Sequence, residues 1–340
     1  MTLPASLGDR RNWPIIKFIR GIAMTRFAVA AVRLACLSAL CALPYPVLAA
    51  PGDVTVNDTM VFPESITSTT DGVVIFGSLR KPVIYRSAPG GSTADPWIHL
   101  TDPGSNDTSL GVLADQASNT LWSCVSLRAA NAAPPPQGQG RSILRAFNLK
   151  TGKIKASYPL PGTNTFCNDI SIAPDRTVYA TDTNNGRVLR LNRRAKALEI
   201  WVEDKRLAGI DGLTFLGPTL YVNTVRTNHI YRVPIGADGK AGELVDIALS
   251  KPLMGPDGMR AANGHIFVAE NGAGRVSELT FDGDHADVTL VKDGFQMPTA
   301  VSPVGGVLWV GEAKLNYAFD PKLRGQDPGP FKAYALPLPN

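Results

Sequence analysis

Cysteine and histidine are scarce in this chain, four of each in 340 residues. So few soft and imidazole ligands argue against a cysteine–histidine zinc module, and no H-E-x-x-H pair occurs to build a metalloprotease helix. The G-x-S-x-G elbow of serine hydrolases is missing as well. Beyond residue 50 no segment shows a sustained helical period, which excludes an alternating α/β chain with a parallel sheet. A charge imbalance is also lacking in most of the chain. The formal net charge is +5, but six of the 34 basic and one of the 29 acidic side chains fall in residues 1–49, leaving 28 of each. A balanced remainder carries no nucleic-acid footprint.

Long apolar runs are absent too. "MTRFAVAAVRLACLSALCALPYPVLAAPGD" starts basic, turns apolar and ends in small residues. That is the layout of a secretory signal, with Val47, Leu48 and Ala49 as the cleavage triplet. Arg33 interrupts the stretch, and Pro44 and Pro46 close it. Its clean apolar part is about ten residues, against about twenty for a spanning helix. Residues 1–49 are therefore read as a removable signal segment, with Met24 as an alternative start. Residues 51–340 form the folded domain, exported to the periplasm or the medium, with no membrane span in the mature protein. Cys36 and Cys41 leave with the signal. Cys124 and Cys167 stay in an oxidising compartment, either as one disulfide or as two buried thiols.

Glycine (32) and proline (27) are plentiful, and short apolar runs lie between them. Such a chain makes many turns and short strands. One hairpin pattern recurs: "GVVIFGSLRKPVIYRSAP", "RTVYATDTNNGRVLRLNR", "PTLYVNTVRTNHIYRVPI" and "GHIFVAENGAGRVSELTF", with a looser copy in "GVLWVGEAKLNYAFDP". A sixth, beginning "NTLWSCVSLRA", carries a Pro/Gly-rich insertion at 128–142. Each hairpin follows another apolar segment that ends in a turn. Matched leading positions in those segments are Glu64, Gly111, Asn168, Asp211, Asp257 and Thr299, with steps of 47, 57, 43, 46 and 42 residues. The longest step contains the insertion. Six copies of a β-rich unit of about 40–50 residues predict an all-β fold, a six-bladed β-propeller with four-stranded antiparallel blades.

In such a fold the leading residue of each innermost strand points at the central axis. Glu64, Asn168, Asp211 and Asp257 then place three carboxylates and an amide at one mouth of the channel. They would repel one another without a counter-charge. An oxygen-only donor set suits a divalent cation, calcium first, with magnesium or manganese as competitors. "PDG", "IDG" and "ND" are also common turn sequences, but a recurrence in phase with the repeat favours the ring.

At these positions the chain resembles the regucalcin (senescence marker protein)/gluconolactonase-like family of six-bladed, calcium-dependent propellers. The matching motifs are "PES" at 63–65, "CND" at 167–169, "IDG" at 210–212 and "PDGM" at 256–259, supported by the strands "VYATD", "LYVNT" and "IFVAENGAGRV". The likeness spans about residues 58–335. It implies that Glu64, Asn168, Asp211 and Asp257 hold the metal and that Asp257 is the general base of ester or lactone hydrolysis. The family often has Asn where this chain has Asp211. Sugar-lactone hydrolases of the family often carry an arginine for substrate hydroxyls two residues before the ring asparagine. Phe166 stands there, marking a less polar substrate-binding position and putting a sugar lactone in doubt.

The remaining features read structurally. His99, His229, His265 and His285 are off the ring. Trp122 and Trp309 occupy matched strand positions suited to packing between blades, and "RLNRRAK" reads as a solvated turn. The expected function is metal-dependent hydrolysis of a small lactone or ester. The alternative is a non-catalytic propeller that binds a peptide, glycan or protein partner around a structural metal.

Overall fold

The computed structural model describes residues 51–100, 106–127 and 141–339. The signal segment and nearly all of the insertion at 128–142 lie outside the described residues. The short alternating runs form strands of two to nine residues, with a single four-residue α-helix, Asn316–Phe319, among the described residues. No helix among those residues is long and apolar enough to cross a membrane.

Six inner strands set the plan: Ile66–Ser68, Thr108–Asp115, Cys167–Ile172, Ile210–Leu216, Pro256–Ala262 and Pro298–Val304. Each opens a four-stranded antiparallel group in which consecutive strands pair. Every inner strand lies against the next, and the last lies against the first. This is the closed, axis-centred arrangement of a β-propeller. The final group draws its fourth strand from the other end of the chain. Val54–Val56 pairs antiparallel with Lys332–Pro337 and parallel with Thr93–His99, so the last and first groups join in one eight-stranded sheet.

Apolar side chains fill the wedges between groups. Tyr179 and Val188 of one group pack with Ile210, Leu213 and Val222 of the next. Each such Val or Leu removed from water contributes roughly 1.5–3 kcal/mol. Trp309 and Trp122 are buried in the largest cluster, as their strand positions suggested. Cys124 and Cys167 are bonded as a disulfide, with Cα atoms 5.1 Å apart and both residues fully buried. The bond links the second strand of one group to the inner strand of the next, one residue before Asn168.

Candidate metal centre on the axis

Two local devices turn the ring residues inward. The first is a shift of register in the inner strands, between Ser109 and Val112, Cys167 and Ile170, Ile210 and Leu213, Pro256 and Met259, and Pro298 and Ala300. Gly111, Asn168, Asp211, Asp257 and Thr299 all fall inside these bulges, which re-aim a side chain and end its pairing. The second is a left-handed residue two positions before the ring. Gly209 and Gly255 adopt it without a side chain, whereas Phe62 (φ 51°) and Met297 (φ 54°) hold it with one. That conformation costs a non-glycine residue about 1–2 kcal/mol. Gly111 carries no side chain for a steric reason, since a Cβ there would run into the carbonyl oxygen of Asn168.

The loops that deliver the ring residues are pinned from below. Asp182 Oδ1 accepts from the Phe166 N–H at 2.9 Å, Glu270 Oε2 from the Met254 N–H at 2.7 Å, and Glu312 Oε1 from the Gln296 N–H at 2.7 Å. Each of these buried carboxylates has a cation beside it. Arg187 Nε donates to Asp182 at 2.9 Å, Arg275 Nε to Glu270 at 2.7 Å, and Lys314 Nζ lies 3.7 Å from Glu312.

On the axis the arrangement differs. Carboxylate oxygens of Glu64, Asp211 and Asp257 lie within 4.8 Å of one another, and all three residues are buried. Asn168 Nδ2 donates to Asp211 Oδ2 at 2.8 Å. Asp257 accepts from the Gly258 N–H at 2.9 Å and from Asn271 Nδ2 at 2.7 Å. Asn168 Oδ1 and Asp211 Oδ1 are buried with no hydrogen-bond partner. Burial, with the neighbouring carboxylates Asp211 and Asp169, holds Glu64 well above the usual carboxylate range, against the opposing pull of Arg260. Burial and the charges of Asp211 and Glu64 do the same to Asp257. Burial and the charge of Asp169 push Asp211 up to about 7, although Asn168 and Asp257 favour its charged form. In each case charge is being forced into a space that lacks its counter-charge.

That space is small. A cavity of about 10 Å³ is lined by Glu64, Asn168, Asp169, Asp211, Asp257 and Arg260, among others. It is about the size needed for one water or one ion. Four features fit a hard divalent cation: oxygen-only donors, excess negative charge, ion-sized room and two orphaned buried oxygens.

Several supporting residues were not singled out in the sequence. Arg260 clamps Asp169 with two bonds of 2.7 Å. Thr181 Oγ1 donates to the Asp211 carbonyl at 2.8 Å and accepts from the Asp169 N–H at 2.9 Å. Asn223 takes the Gly212 N–H at 3.0 Å and donates to the Asp257 carbonyl at 2.5 Å. Thr181 and Asn223 occupy the same position in "VYATD" and "LYVNT", a buried site where the pattern calls for an apolar residue, and that mismatch was their readable signal. Phe166 is half-buried and packs on the main core cluster, and it is not among the residues lining the axial cavity. None of the four histidines lines the axial cavity: His229 and His265 face Asp246 and Glu278, and His99 and His285 are exposed. A larger cavity of about 690 Å³ lies off the axis, beside Tyr179, Phe215, Arg190 and Arg232. Of its three arginines, Arg190 and Arg232 are held by Glu199 and Asp284 and Arg193 donates to the Arg176 carbonyl, so it offers no comparable cluster of like charges.

Fold and site together define a β-propeller with an acidic axial centre. No protein-family model and no curated protein sequence matches the chain. Solved structures do match, at low identity. The Malassezia sympodialis allergen Mala s 1 superposes with a TM-score of 0.63 at 14% identity, over 84% of this chain and 96% of that one. A proposed gluconolactonase gives 0.56 at 17% identity, over 84% and 90%. Virginiamycin B lyase from Staphylococcus aureus gives 0.55 at 14% identity, over 84% and 98%. A variant of that lyase with one histidine replaced by alanine is catalytically inactive. Likeness at this level of identity carries the fold, which hosts more than one activity.

Proposed function

We propose that this chain is an exported, divalent-cation-dependent hydrolase of lactones or related esters. The observation that carries the proposal is the convergence of Glu64, Asp211 and Asp257 within 4.8 Å, with partnerless oxygens on Asn168 and Asp211. Structural support of a blade axis does not require three buried acids without a cationic partner. Glu64, Asn168, Asp211 and Asp257 would hold the ion, with calcium the best match to the donors. Bound there, such an ion polarises an ester carbonyl and makes water more acidic. Likeness to a proposed gluconolactonase adds weight to the lactone reading. The histidine-dependent lyase is a poorer guide, because no histidine stands on the axis here.

The chain's own contribution centres on Asp257. Gly258 and Asn271 each occupy one of its oxygens and fix the plane of the carboxylate. Each oxygen keeps a lone pair for a proton. Asp257 accepts the proton of the attacking water as the oxygen adds to the carbonyl carbon. It returns that proton to the alkoxide when the ring C–O bond breaks. Phe166 occupies the position where sugar-lactone hydrolases of the resembled family place an arginine, which favours an apolar acyl lactone over a polyhydroxylated one. Export accords with the disulfide, which an oxidising compartment sustains.

The second reading is a cation that only braces the axis of a partner-binding propeller. It is favoured by the cavity's size, which admits an ion but no organic ligand. One experiment separates the two. The purified protein is assayed by mass spectrometry for bound metal and by turnover on a panel of lactones and aryl esters, with and without a chelator. Hydrolysis that is lost on chelation and restored by calcium supports the hydrolase. Bound calcium without hydrolysis supports the brace, and absence of any bound divalent cation overturns the metal centre. The export reading is checked by the mass of the mature chain, expected to begin at Ala50.

A further inference from the structure

The axial cavity is lined by four carboxylates, not three. Asp169 is the fourth; it follows Asn168 directly and is 5% exposed. Both of its oxygens are engaged: Arg260 Nη1 reaches Oδ2 and Nη2 reaches Oδ1, both at 2.7 Å, and the Leu213 N–H reaches Oδ2 at 3.3 Å. Arg260 belongs to the inner strand Pro256–Ala262 and Asp169 to Cys167–Ile172, so the pair bridges two groups past the intervening strand Ile210–Leu216. The arginine side chain is 13% exposed. Among the described residues it is the one basic side chain lining that cavity. Its Nη1 also donates to the Met259 carbonyl at 2.7 Å, which fixes the fork on the backbone beside Asp257.

A bidentate guanidinium–carboxylate pair uses the oxygens that would otherwise face a cation. We infer that Arg260 is a positioning residue that withholds Asp169 from the metal, limiting the donor set to Glu64, Asn168, Asp211 and Asp257 and the charge presented to the ion to three negatives. The inference rests on the cation reading of the axial site. It assigns the selectivity of the centre to a residue that never touches the ion. With Asp169 masked, a divalent cation leaves one negative charge at the centre. With Asp169 free, the site would carry four negative charges and suit a trivalent ion better.

Opposite signs in two single variants make the test. Calcium affinity is measured by titration calorimetry, and terbium binding by luminescence, with lifetimes in H₂O and D₂O reporting the number of metal-bound waters. Wild type, Arg260→Met, Asp169→Asn and the double variant are compared. In Arg260→Met the freed Asp169 should tighten terbium by about 10–100-fold, the usual scale of an outer-shell change, and displace about one bound water. In Asp169→Asn the unpaired guanidinium should weaken calcium by a similar factor. The double variant removes both charges and should return to within a few-fold of wild type. A purely structural pair predicts that both single variants weaken both ions, with no change in bound water, and that outcome overturns the inference while leaving the metal centre intact. Wild-type protein that binds neither ion overturns the centre and the inference together. If Arg260→Met does not fold, Asp169→Asn and the double variant still decide: an affinity not restored in the double variant overturns the inference.

Discussion

Buried carboxylates occur in two sets in this molecule, and they are handled in opposite ways. Asp182, Glu270 and Glu312 close the second strands of their groups. Each accepts a backbone N–H from the loop leading to the ring and has Arg187, Arg275 or Lys314 beside it. Glu64, Asp211 and Asp257 are equally buried, yet the nearest guanidinium is committed to Asp169. The first set is satisfied inside the chain and holds loops still. The second is left short of positive charge, which is the condition of a site that receives it from outside. Burial alone therefore says little about function; the presence or absence of a cationic partner is what separates the two sets.

Four measurements would break or sharpen this contrast. The largest effect is expected at Asp257. Asp257→Asn keeps the shape and one oxygen donor but cannot take a proton. Turnover at saturating calcium, on whichever lactone the panel identifies, should fall about 10²–10⁴-fold, the scale of general-base removal, with calcium still bound. Near wild-type turnover would remove Asp257 from the chemistry.

Next comes the satisfied set. Arg187→Met leaves Asp182 buried without its cation, and breaking such a pair costs about 3–5 kcal/mol. Denaturant unfolding should show that loss, while calcium stoichiometry stays at the wild-type value. Loss of calcium binding together with an unchanged midpoint would erase the distinction between the sets.

A pH series without metal gives the third. Asp211 sits at about 7 in the folded chain against its ordinary 3.8, so the folded state binds the proton more tightly than the unfolded one. Stability from this group is complete below about pH 4 and is lost as pH rises through about 7, a loss on the order of 2–4 kcal/mol. Glu64 and Asp257, raised in the same direction, extend the decline upward. Calorimetric melting in chelator from pH 5 to 8 should show the fall, and saturating calcium should abolish it. A flat profile in chelator would mean that the three carboxylates already have partners.

The smallest effect concerns Phe166, two residues before the ring asparagine. Phe166→Arg restores a cation where sugar-lactone hydrolases of the resembled family have one. It should lower KM for a hydroxylated lactone about tenfold, the worth of one hydrogen bond to a charged group, with little change for an apolar lactone. Equal changes for both would show that Phe166 acts through packing alone.

The strand repeat was readable because alternating apolar runs and matched turns survive in one dimension. Glu64, Asp211 and Asp257 could be grouped for the same reason: equal phase in a closed ring means a shared axis. Phase says nothing, however, about contacts that skip a unit. Arg260 and Asp169 lie 91 residues apart in different groups, and no spacing rule joins them. The bulges were hidden too, because an extra residue in a strand leaves no compositional mark unless it is glycine. The two cysteines stayed open between bond and free thiols until the positions of adjacent strands were known.

The strand Val54–Val56 gives the ring a seam made from both ends of the chain. Its pairing of Val54 with Ala333 spans nearly the whole domain, a contact of the kind that makes folding slow. The circle cannot shut until the last strand has been synthesised, so every growing chain passes through an open state with two unpaired strand edges. Such edges are where chains pair with one another. The same seam works as a test of completeness: a chain clipped before Lys332–Pro337 loses the partner of its first strand as well as its last. Truncation at the carboxyl end would thus show up at the amino end, as faster amide exchange at Val54, while Thr55, whose N–H donates to the Ser92 carbonyl, keeps its protection.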